Sequence, residues 1–203
     1  MIPNISQNFG DIVKILLKDL NSDSYNNNSS KNQKVFVFNK FKLFCIDNIK
    51  SNNQYHQACG ILCLTSFIEN CSFNYTNSDN LKFIFNNLCS ELKNPKFQEK
   101  LEILNCFISL IFCAEEYSFS LSLDTMKIII EFINDPEWLI RKFSLNIIYT
   151  LLCYNKNELI KEKDFIFYKI NELNKKEKNN EVKEIIEQIY NLLDEGYLNT
   201  NLY

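Results

Sequence analysis

Two stretches of this sequence repeat one another at a fixed offset of 41 positions, and that limits the chain to a narrow set of folds. Asn94-Pro95-Lys96-Phe97 is answered by Asp135-Pro136-Glu137-Trp138, and in the same register Lys100 falls on Arg141, Leu104 on Leu145 and Asn105 on Asn146. The second copy, residues 135–154, reads as one helix with a clear start. Asp135 can accept from the free N–H groups of the first turn, and Pro136 suits the first helical position, where its missing N–H costs nothing. Ile140, Ser144, Ile147, Ile148, Leu151 and Leu152 then recur at spacings of three and four, one broad apolar face. Phe143, Leu145 and Tyr149 widen it, so the helix has to lie between neighbours. Units of this kind cannot bury their own apolar faces and must stack.

A third, weaker copy places Val182-Lys183 on Ile140-Arg141 at an offset of 42, with Ile186 on Ser144. Gly and Pro number three each. β-rich folds need many turns that Gly supplies, so the chain reads as all-α. Helices are expected over residues 9–20, 34–50, 54–70, 80–92, 96–113, 123–133, 136–154, 158–173 and 181–193, with Gly196 placed to close the last. Residues 21–33, rich in Asn and Ser, read as a mobile loop between an N-terminal helix within 1–20 and a repeat domain over 34–198. A period of about 40 to 47 residues with two helices per unit is the pattern of HEAT and armadillo arrays, an α-solenoid of stacked antiparallel hairpins. An irregular helical bundle is the alternative.

Little in the chain points to chemistry. There is no Gly-rich phosphate loop and no GxSxG. One histidine limits general-base schemes, and the adjacent carboxylates Glu115 and Glu116 read as a solvated helix end. His56, Cys59 and Cys63 could share a helix face, but no fourth ligand accompanies them, so no metal, cofactor or catalytic residue is assigned. The eight cysteines lie mostly in apolar helical runs, where free thiols behave as small hydrophobes. With no basic-then-apolar leader at the N-terminus, reduced thiols in a cytoplasmic protein are expected. The longest apolar run, residues 103–114, is too short for a bilayer, which takes about 20 residues, so no membrane association is expected. A net charge of -3 gives no reason to expect nucleic-acid binding.

Asp135-Pro136 opening a helix, Ile140 before Arg141, and the small Ser144 resemble a HEAT repeat. Residues 134–195 are similar to TOG-like HEAT arrays, above all to the Tortifolia-type microtubule-associated proteins. The matching features are Asp135, Trp138 and Arg141-Lys142 opening one helix. The Lys175-Lys176-Glu177-Lys178 turn follows, and then Val182-Lys183-Glu184 opening the next. The resemblance implies a non-catalytic, cytoskeletal protein that binds tubulin with the edge formed by the turns inside each hairpin. That edge is basic with an aromatic contact, because tubulin is acidic. The residues it selects here are Lys93, Lys96, Trp138, Arg141, Lys142, Lys175, Lys176 and Lys178. The first hairpin turn, Ser51-Asn52-Asn53, departs from the pattern in having no charge beyond Lys50, and Glu177 interrupts the last cluster.

Each of these residues also has a structural reading. Arg141 can pair with Asp135 near the helix start. Trp138 can pack on its own hairpin instead of touching a partner. The lysines of residues 175–178 can be a solvated turn. A generic helical-repeat scaffold, recruiting a protein partner through its inner face or packed into a larger assembly, is the alternative function. None of these features encodes an oligomeric state.

Overall fold

In a computed structural model, residues 28–70, 78–94, 99–114 and 122–200 are described. The expected helix over 9–20, the turn containing Lys96 and the carboxylates Glu115 and Glu116 fall outside them. Every regular element among the described residues is helical. In chain order these are α1 (Asn28–Ile49), α2 (Gln54–Asn70), α3 (Ser78–Lys93), α4 (Lys100–Ala114), α5 (Ser122–Ile129), α6 (Trp138–Leu159), α7 (Lys163–Asn174) and α8 (Asn180–Thr200). Short 3₁₀ turns occupy Phe132–Asn134 and Ile160–Glu162. The chain divides into two compact units between Ala114 and Glu115.

In the first unit α1 pairs with α2 and α3 with α4, and α2 stacks on α4. In the second, α5 pairs with α6 and α7 with α8, and α6 stacks on α8. Within each unit, then, two helical hairpins lie with their second helices side by side, the packing of an α-solenoid. The 41-residue register governs burial. Ile103, Leu104, Cys106, Phe107, Leu110 and Ile111 of α4 are buried, as are their counterparts Ser144, Leu145, Ile147, Ile148, Leu151 and Leu152 of α6. The 42-residue register holds as well: Ile140, Ser144, Ile147 and Leu151 are buried, and so are Val182, Ile186, Ile189 and Leu193. Ser144 stays within this dry face by donating its hydroxyl to the Ile140 carbonyl at 2.8 Å, which spares it an unpaired polar group.

Polar contacts bridge consecutive hairpins at close to one repeat length. Lys42 donates to Asn80 at a separation of 38 residues, Ser109 to Glu69 at 40, and Gln54 to Glu99 at 45. In the first unit α1 and α2 approach closely at Gly60, where a Cβ would lie 2.8 Å from the Cys45 carbonyl oxygen and 2.8 Å from the Ile49 nitrogen. Phe67 fills the seam beside it, with Phe38 at 5.0 Å and Phe41 at 5.9 Å between ring centroids. The described cysteines Cys45, Cys59, Cys63, Cys89, Cys106, Cys113 and Cys153 are free thiols.

Helix ends depart from the sequence expectation in several places, among them the start of α7 at Lys163 and not at residue 158. α1 begins at Asn28, so its first turns run through Asn and Ser residues that read as loop. Hairpin packing of the apolar residues downstream outweighs their weak helix propensity. α5 stops at Ile129 and tightens into the 3₁₀ turn, because Asp135 precedes a proline and sits extended at φ -59°, ψ 142°. α6 continues to Leu159, since Asn155-Lys156-Asn157 holds neither Gly nor Pro to stop it. Gly196 lies inside α8, which reaches Thr200. A glycine permits a left-handed cap without enforcing one.

Candidate protein-binding edge

The second unit brings two hairpin turns together, and their geometry follows from two caps and one ion pair. Asp135 accepts the Glu137 N–H at 2.9 Å on Oδ1, as a capping residue should. Asn179 does the same for α8, accepting from the Glu181 and Val182 N–H groups at 2.9 and 3.3 Å. In the first unit Asn53 caps α2 by accepting from Tyr55 at 2.9 Å. With its carboxylate held in the cap, Asp135 is not the ionic partner that the sequence suggests for Arg141. Only its backbone carbonyl accepts from Arg141 Nη1, at 2.9 Å, beside that of Pro136 at 3.0 Å.

The charge partner of Arg141 is Glu177. Arg141 Nε donates to Oε2 at 2.7 Å and Nη2 to Oε1 at 2.9 Å, a bidentate fork across 36 residues of chain. Glu177 Oε1 also accepts the Lys178 and Asn179 N–H groups, both at 2.9 Å. The carboxylate therefore closes the α7–α8 turn on itself and ties it to the base of α6. Although charged, Glu177 is only 7% exposed. The Arg141 hydrogen bonds, working against desolvation and helped by the two N–H groups, hold its carboxyl down at about 2. Between the two turns lies a groove of about 300 Å³ lined by Asn134, Asp135, Pro136, Arg141, Leu173, Lys176 and Glu177.

The remaining basic residues divide by what they touch. Lys142 pairs with Glu181 and sits 5.9 Å from the centroid of the Trp138 ring, which is half-buried at the start of α6. Lys175 pairs with Glu172 at 2.7 Å, which raises the lysine's pKa and lowers the carboxylate's. Lys176 and Lys178 are exposed, with no ion pair among the described residues. Lys93 is exposed at the end of α3, in the first unit. Lys96 lies outside the described residues. In the sequence Glu177 reads as an interruption of a basic cluster; in the structure it is the anchor of that cluster. The available signal was its spacing from Arg141, close to the repeat length, but a spacing alone does not say which of several nearby acids faces the guanidinium.

A family model described as TORTIFOLIA1 N-terminal matches residues 5–195. The chain belongs to the TORTIFOLIA1 N-terminal family. No curated protein matches the sequence. The TORTIFOLIA1 match runs through both compact units and so extends well beyond the last third of the chain. Among the described residues of this TORTIFOLIA1-type chain, no group of three His, Cys, Asp or Glu side chains could hold a metal ion. His56 is exposed with Nδ1 at 3.4 Å from Ser51 Oγ, while Cys63 is buried. None of the described helices is long and apolar enough to cross a membrane.

Proposed function

We propose that this chain is a non-catalytic binding module that associates with microtubules by contacting tubulin, and that the contact is made by the hairpin-turn edge. The observation that carries this reading is membership of the TORTIFOLIA1 N-terminal family. It is supported by the adjacency of the α5–α6 and α7–α8 turns around one groove. On that edge Trp138 offers an amphipathic ring, and Lys176 and Lys178 carry charge that no ion pair among the described residues consumes. Arg141, Lys142 and Lys175 serve mainly to hold the edge, because Glu177, Glu181 and Glu172 already occupy them. A chain of net charge -3 can still present such a local basic edge to an acidic partner. Action on microtubules places the protein in the cytoplasm.

Co-sedimentation with microtubules tests this. Wild type should pellet with them, less so as salt is raised, because charges on an exposed edge are screened within about 8 Å at physiological ionic strength. Lys176→Glu with Lys178→Glu should reduce pelleting with helicity unchanged. A wild type that stays in the supernatant, or a folded double variant that pellets equally, would remove the tubulin reading and leave a generic helical scaffold.

A further inference from the structure

Outside the groove, α7 carries aromatic residues that the hairpin does not bury. Ile166, Ile170 and Leu173 form its buried side. Phe165 and Tyr168, one turn apart, are 38% and 61% exposed. Lys169 Nζ lies 5.7 Å from the Phe165 ring centroid. Lys175 follows two turns after Tyr168, paired with Glu172 at 2.7 Å. Its neighbour Lys176 lines the groove between the turns beside Pro136. A strip thus runs from Phe165 along α7 to the α7–α8 turn, with Phe165, Tyr168 and Lys169 at one end, the Glu172–Lys175 pair next and Lys176 at the other end.

Its charge is opposite to that of the chain as a whole. Residues 165–176 hold Lys169, Lys175 and Lys176 against Glu172 alone, a surplus of two in a protein of net charge -3. Glu172 is held by Lys175, which leaves Lys169 and Lys176 with no ion pair among the described residues. Exposed rings next to free ammonium groups suit a segment that brings carboxylates together with an apolar side chain. A surplus of two lysines neutralises few phosphates, and nucleic acid brings no apolar side chain to seat on the rings.

We infer that the outer face of α7, from Phe165 and Tyr168 to Lys176, is a docking strip for an extended acidic segment of a protein partner, in which an apolar residue seats on the two rings. This rests on the proposed binding function and extends it from the turns onto a helix face. In the strip the lysines supply long-range attraction and the rings supply the anchor.

The test uses the full chain and fluorescence anisotropy with three labelled probes: a poly-glutamate peptide, the same peptide with one central phenylalanine, and single-stranded poly-U. The phenylalanine peptide should bind tighter than poly-glutamate, and poly-U should not bind. Phe165→Ala with Tyr168→Ala should weaken the phenylalanine peptide about tenfold, the scale of losing a small anchor cluster. The preference for the phenylalanine peptide should disappear while thermal unfolding is unchanged. Equal binding by the variant, no preference between the two peptides, or tighter binding of poly-U would overturn the inference. Microtubule co-sedimentation separates the two proposals. Pelleting by a protein that binds neither peptide sinks the strip and keeps the microtubule reading. Peptide binding without pelleting does the reverse.

Discussion

Replacing Glu177 with Gln isolates the interaction that joins two repeats in the second unit. The side chain accepts four hydrogen bonds, two from the Arg141 guanidinium and two from backbone N–H groups of its own turn. Gln keeps the shape and one acceptor oxygen but removes the charge and places an NH₂ group against donors. The carboxyl pKa falls from 4.5 to about 2. At about 1.36 kcal/mol per unit this corresponds to roughly 3 kcal/mol of stability at neutral pH. Loss of one partner from a buried pair typically costs about 3–5 kcal/mol, and Arg141 is partly open to water, so the lower end applies. The sign follows from the depressed pKa. The stabilisation is complete above the unfolded value of 4.5 and is lost as pH falls from there through 2. Trp138 is the sole tryptophan and stands at the start of α6, so its fluorescence reports unfolding of this unit. Urea titrations at pH 7 should show Glu177→Gln less stable by about 2–3 kcal/mol, and at pH 3 by about half as much. A difference below about 0.5 kcal/mol at pH 7, or one that does not shrink in acid, would refute the ion-pair account.

Gly60→Ala should destabilise the first unit by about 1–3 kcal/mol, because the new Cβ meets backbone atoms of α1 at 2.8 Å; thermal melts by circular dichroism check this, and the stabilisation expected of Ala in an ordinary helix would contradict it. Ile148→Ala should cost about 2–5 kcal/mol, since Ile148 is fully buried in α6; a denaturant titration giving less than about 0.5 kcal/mol would mean its face is packed otherwise. Alkylation of the native protein at pH 8, mapped by mass spectrometry, should label the exposed Cys153 and spare Cys45, Cys63 and Cys106. Burial pushes all three thiols up, Cys63 to about 11 and Cys106 to about 12, which suppresses the reactive thiolate. Labelling of Cys106 as fast as Cys153 would show that the seam between α2 and α4 opens.

Class, repeat and register were legible in the sequence because each depends on local patterns. Apolar residues at spacings of three and four select a helix and its buried face without reference to any partner. Residues 41 positions apart, such as Leu104 and Leu145, accordingly proved buried alike. The cap at Asp135 was legible for the same reason, since it closes within two residues. Helix ends such as Asn28 and Thr200 were not, because propensity there is weak and packing decides. The fate of the charges was settled only by the tertiary structure. Lys175 and Lys178 look equivalent in sequence, yet one is paired with Glu172 and the other is exposed without an ion pair among the described residues. Arg141 had Asp135 six residues away in the chain and took Glu177, 36 residues away. Both carboxylates also accept backbone N–H groups, so capping does not decide between them; the stacking of hairpins does, because it brings Glu177 up to the guanidinium with both oxygens facing it.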